Sequence, residues 1–73
     1  MVFYVVEIQT LQNSGSVIPF TFVNRNEAEQ KYHETLKYAA VSEVPYHGAI
    51  MFNQDGFVLK TEVYNHTEHE TEN

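Results

Sequence analysis

Apolar and polar side chains alternate with a period of two in the opening stretch, which predicts a strand. Residues 2–10 (VFYVVEIQT) form one such run and residues 17–23 (VIPFTFV) a second. The polar loop Gln12-Asn13-Ser14-Gly15-Ser16 between them is rich in turn formers, so the pair reads as a hairpin. Tyr4, Val6 and Ile8 fall on one side of the first strand and are its expected core face. Phe3, Val5, Glu7 and Gln9 fall on the other. In the second strand Ile18, Phe20 and Phe22 lie together. Pro19 has no N–H to give a ladder, which places this strand at an edge.

The period then changes. Over residues 27–42 (EAEQKYHETLKYAAVS) an apolar stripe at helical spacing joins Ala28, Tyr32, Thr35, Leu36, Ala39 and Ala40. Asn26 is the expected N-cap, with Glu29 three residues later as in a capping box. Tyr38 falls off the stripe, so its ring is expected to be partly exposed. Residues 48–54 and 57–64 flank Asp55-Gly56, a strong signal for a two-residue hairpin turn. That register pairs Phe52 with Leu59, Met51 with Lys60 and Ile50 with Thr61. The order strand, strand, helix, strand, strand predicts an α+β fold, ββαββ, in which one helix packs on one face of a four-stranded antiparallel sheet. A single domain over 1–65 is expected, followed by a disordered acidic tail at 66–73.

One helix covers one face, so the other face is open. On this reading Phe3, Val5, Met51, Val58 and Tyr64 form an apolar patch there, rimmed by Glu7, Lys60 and Glu62. A contiguous patch of that kind marks an interaction site. The chain has 73 residues and no cysteine. A domain so small buries only roughly 60% of its unfolded surface and commonly needs a staple. Disulfides are ruled out, which leaves oligomerisation as the expected one.

The net charge is −6, from ten acidic residues against four basic ones. Three of the carboxylates lie in the last six residues. The acidity argues against direct binding of nucleic acid, where phosphate neutralisation supplies most of the affinity. The apolar run at the N-terminus has no positive region before it, so it does not read as a signal peptide. No segment has the 18 or more apolar residues of a membrane span. A cytoplasmic location is expected.

No P-loop, GxGxxG, HExxH or GxSxG occurs, and an enzyme is not expected. Ser42 is close to His47 in sequence, but no third orienting group or oxyanion hole is evident. His47 is expected instead to start a strand or to touch a ligand. His33 reads as a solvated residue of the polar helix face. His66, Glu68, His69 and Glu70 cluster in the tail, where ligation would be weak, so no metal and no cofactor are expected. Arg25 lies at the start of the helix, where amide groups and a guanidinium fork hold anions. Tyr32, Tyr38 and Tyr46 offer stacking surfaces nearer the other end. Arg25, Tyr32, Tyr38, Tyr46 and His47 are thus the candidate ligand-binding residues, to be completed by a second subunit.

The segments Tyr4-Val5-Val6-Glu7-Ile8-Gln9-Thr10, Asn26-Glu27-Ala28-Glu29, Lys31-Tyr32-His33, Ala39-Ala40-Val41-Ser42, Val44-Pro45 and Tyr64-Asn65-His66 resemble a family of small proteins of gut Firmicutes and of their phages and prophages. The likeness covers nearly everything except the tail. It implies a phage or mobile-element origin and carries no activity or site residue with it. Small phage proteins often block host defence. The expected function is therefore that of a non-enzymatic homo-oligomer that binds a host defence protein or sequesters a small nucleotide signal. The alternative is a structural or assembly accessory of the phage with no ligand.

Overall fold

The computed structural model describes residues 1–67; the acidic residues 68–73, most of the expected tail, lie outside the described residues. Four strands and one helix follow in order: β1 (Phe3–Thr10), β2 (Gly15–Phe22), α1 (Arg25–Ala40), β3 (Tyr46–Asn53) and β4 (Val58–Asn65). The strands form one antiparallel sheet in the order β2-β1-β3-β4. The α+β class and the ββαββ order therefore hold, and β2, with Pro19, is an edge strand.

The helix begins two residues earlier than its sequence periodicity suggested. Asn24, not Asn26, is the N-cap, and its Oδ1 accepts the Glu27 N–H at 3.1 Å. Asn24 is extended at φ −118°, ψ 123°, the conformation a cap requires. The earlier start adds Arg25 to the first turn, where its Nε donates to Glu29 Oε2 at 3.0 Å. At the other end the Val41 and Ser42 N–H groups fold back onto the Tyr38 and Ala39 carbonyls, and the helix stops.

The helix buries Ala28, Tyr32, Thr35 and Ala39, while Leu36 is half-buried and Ala40 exposed. Alanine at positions 28 and 39, both fully buried, lets the backbone lie close to the sheet. Beneath it sit Phe3, Val5, Ala49 and Met51, with Phe20, Phe22, Leu36 and Leu59 packed around them.

This reverses the expected sheet faces. Phe3, Val5 and Met51, expected on the open face, are core residues, and Val5 and Met51 are fully buried. Tyr4, Val6 and Ile8, expected in the core, point away from the helix. The physical reason lies at positions 7 and 9. Glu7 and Gln9 share a face with Phe3 and Val5, and alternation suggested that their polarity marked the wet side. They instead belong to a hydrogen-bonded cluster on the covered side, where a paired polar group is tolerated.

The second hairpin also differs in detail. Its loop has three residues, Gln54-Asp55-Gly56, not two. The Asn53 N–H donates to the Phe57 carbonyl at 3.1 Å, and the Gly56 N–H donates to the Asn53 carbonyl at 2.9 Å. Asn53 Oδ1 accepts from the Asp55 and Phe57 N–H groups. Gly56 takes φ +80°, the left-handed conformation that closes a three-residue loop. Phe52 then pairs with Val58, and a bulge restores Met51 to Lys60 and Ile50 to Thr61, the latter two as expected. The bulge turns Leu59 toward the core and sets Val58 beside Phe52. Further along, β3 passes so close to β4 that a Cβ on Gly48 would lie 2.1 Å from the Glu62 carbonyl oxygen.

Candidate functional site

Two regions stand out once the registers are known. The first is the face of the sheet that the helix leaves bare. Its positions are Tyr4, Val6 and Ile8 of β1, Val17, Pro19 and Thr21 of β2, Gly48, Ile50 and Phe52 of β3, and Val58, Thr61 and Val63 of β4. Val6 lies between Pro19 and Ile50, and Tyr4 stacks on Phe52 with ring centroids 5.2 Å apart. Val17, Val58 and Val63 are exposed. No Asp, Glu, Lys, Arg or His occupies any strand position on this side. Glu7, His47, Lys60 and Glu62, all the acidic, basic and histidine residues of the strands, share the helix-covered side. Ordinary two-layer folds do the opposite and put polar residues on the uncovered face.

Of the five residues expected on the open face, only Val58 is there. Phe3, Val5 and Met51 are in the core. Tyr64 pairs with His47 on the helix side, half-buried and stacked on His66 at 6.2 Å.

The second region is the cluster around His47, which is 6% exposed. Its Nε2 lies 2.7 Å from Glu7 Oε2, and its Nδ1 lies 2.9 Å from Ser42 Oγ. Gln9 Nε2 donates to the same Glu7 oxygen at 3.2 Å, and the Val44 N–H donates to Ser42 Oγ at 2.9 Å. With a neutral ring, Nε2–H donates to the Glu7 carboxylate and the Ser42 hydroxyl donates to Nδ1. Glu7 is the third group that the sequence did not reveal. It is 40 residues from His47 and comes to it only through the β1–β3 register. The one signal for it was a carboxylate placed among apolar positions of a strand.

Serine, histidine and a carboxylate in a row have the composition of a hydrolytic triad, so their surroundings decide what they do. The imidazole is sealed from solvent. The Ser42 oxygen already accepts a backbone N–H and has lost part of its nucleophilic capacity. The nearest helix end is the C-terminal one, whose carbonyls repel an oxyanion. The cluster therefore works as a clamp that ties β1, β3 and the loop after α1 together.

The remaining candidates do not converge. Arg25 is held by Glu29 at the helix N-terminus. This contact pulls the half-buried Glu29 carboxyl below its ordinary value, against the opposing effect of burial. Tyr38 is exposed near the C-terminus, about 20 Å along the helix axis from Arg25. Tyr32 is a core residue and cannot stack on a ligand. Tyr46 borders a pocket of about 580 Å³ with Thr10, Leu11, Gln12, Pro45 and Thr67. His66, expected in a disordered tail, binds the Ala39 carbonyl through Nε2 at 2.8 Å, and its N–H donates to the Pro45 carbonyl. Among the described residues no group of three or more His, Cys, Asp or Glu side chains could hold a metal ion. No described helix is long and apolar enough to cross a membrane. No protein-family model, curated protein or solved structure matches the chain.

Proposed function

We propose that this chain is a non-enzymatic binding protein of a phage or prophage that works as a small oligomer in the host cytoplasm and counters host defence. It does so by engaging a host protein or by sequestering a small nucleotide signal. The observation that carries the reading is the bare, uncharged sheet face, a surface built for contact. The Ser42–His47–Glu7 cluster fits the same reading, because both ring nitrogens, the Ser42 hydroxyl and Glu7 Oε2 are already engaged within the chain. The phage origin rests on the sequence resemblance, and the net charge of −6 suits a basic partner surface.

Two measurements test it together. The chain is expressed in cells that carry a defence system, and phage plating is compared with and without it. The same protein, purified from those cells, is weighed by native mass spectrometry. The expected result is restored plating, with a mass that exceeds a whole multiple of the 8.5 kDa subunit by a nucleotide or a host protein. A bare mass with unchanged plating across a panel of defence systems overturns the reading. Recovery of the chain from purified phage particles favours the assembly role instead.

A further inference from the structure

We infer that the open sheet face is covered by a second copy of this chain, packed sheet on sheet about a two-fold axis with the two helices outermost. The inference rests on the reading above for its oligomeric part and names the partner and the geometry.

Charge is absent from the whole of this face. Across four strands the uncovered side carries Tyr4, Val6, Ile8, Ile50 and Phe52 on its two central strands, Val63 on the edge strand β4, and no ionised group. A face in permanent contact with water gains by placing some of the strand carboxylates and amines there. In this chain they all sit on the helix side, Glu7 within the His47 cluster, Lys60 half-buried and Glu62 exposed at the sheet edge. That distribution fits a surface that is dry in the working molecule.

The identity of the partner follows from stability. The chain has no disulfide, and its buried apolar core consists of Phe3, Val5, Ala28, Tyr32, Ala39, Ala49 and Met51. A domain with so small a core needs its second face covered as soon as it folds. A second copy is the one partner present whenever the chain is made. An uncharged patch is also self-complementary, as a two-fold interface requires, because nothing on it repels its own image.

Size and electrostatics agree. Four strands of eight residues, spaced by about 4.8 Å with a rise of about 3.3 Å per residue, span roughly 500 Å². Two copies thus remove roughly 1,000 Å² of footprint or more, the lower bound for a specific interface. Stacked sheets lie about 10 Å apart, with the helices one layer further out on either side. The helices then stand roughly 30 Å apart, well beyond the Debye length of about 8 Å at physiological salt, and each balances Glu27, Glu29 and Glu34 against Arg25, Lys31 and Lys37, so they do not oppose pairing.

The test is sedimentation velocity of the full chain at micromolar concentration, with circular dichroism to monitor folding. The wild type is expected at twice the 8.5 kDa subunit mass. Val6→Glu and Ile50→Glu, each placing a carboxylate on both sides of the interface, are expected to weaken pairing by about 100-fold or more. Lys37→Glu on the exposed helix face leaves it unchanged. Should the face variants fail to fold, the wild type alone decides, because the melting temperature of a dimer rises with protein concentration. A folded wild-type monomer with a concentration-independent melting temperature overturns the inference. So does a dimer that survives both face substitutions in folded protein, or a chain that exists only in complex with another protein. A monomer that still restores plating would sink this pairing and the oligomeric part of the functional reading but spare its anti-defence part; a dimer without ligand or effect would spare the pairing and sink the anti-defence part.

Discussion

At the scale of single residues, the clearest lesson comes from His47. A buried imidazole with a hydrogen-bond partner on either side is costly to disturb, because truncation leaves Glu7 and Ser42 facing a hole. His47→Ala is expected to cost about 1–3 kcal/mol, the range for stranding a buried hydrogen-bonding group. Urea denaturation measures it directly. If the cluster were catalytic instead of structural, the substitution would abolish an activity and leave the denaturation midpoint in place. His47 was singled out in the sequence, and so was its neighbour Ser42. Glu7 was visible only as a polar residue in a strand, and alternation assigned it to water. Alternation assumes that a polar side chain seeks solvent, and it fails where a sequence-distant partner waits inside the fold.

Elements were more legible than faces. Period two gave both hairpins, and period 3.6 gave the helix to within two residues at each end. The helix start was misread because Asn24 and Asn26 both precede a Glu at the right spacing for a capping box. What separates them is the Arg25 to Glu29 pair, which forms only when the helix begins at Arg25. Asn24→Ala is expected to lose about 1 kcal/mol of stability, as for other side-chain caps. Asn26→Ala, already inside the first turn, is expected to change it by less than about 0.5 kcal/mol. Thermal melts of the two variants distinguish the caps, and a larger loss at Asn26 would show that the later start is the true one. The face assignment had no comparable local signal. Both sides of β1 carry apolar residues, and the choice between them depends on what β3 and the helix bring to the inner side.

For the whole molecule, stability depends on a core in which Tyr32 is the largest helical contribution. Its burial raises the phenol above its ordinary value near 10, with Glu62 and Tyr64 pushing the same way. The folded state therefore holds the proton more tightly than the unfolded chain does. Stability from this group is fully present below pH 10. It falls as pH rises from there through the folded-state value, since the unfolded chain releases its proton first. Melting temperature is expected to drop over that alkaline range, and Tyr32→Phe to flatten the drop. An equally steep fall in that variant would show that another group is responsible. The same whole-molecule view explains why the binding region was misplaced in the sequence. The composition of the open face follows from one parity choice, so an inverted β1 exchanged Phe3, Val5 and Met51 for Tyr4, Val6, Ile8, Ile50 and Phe52 in a single step.

The irregularity between Met51 and Phe52 has a consequence for that parity. The three-residue loop fixes Phe52 against Val58. If the ladder ran on without interruption, Met51 would face Leu59, and Lys60 would lie beside Ile50, with Glu62 also turned outward. Leu59, the spare residue of β4, shifts the count by one and returns both ions to the helix side. One unpaired leucine thus acts as a sorting device that keeps an entire surface free of ions.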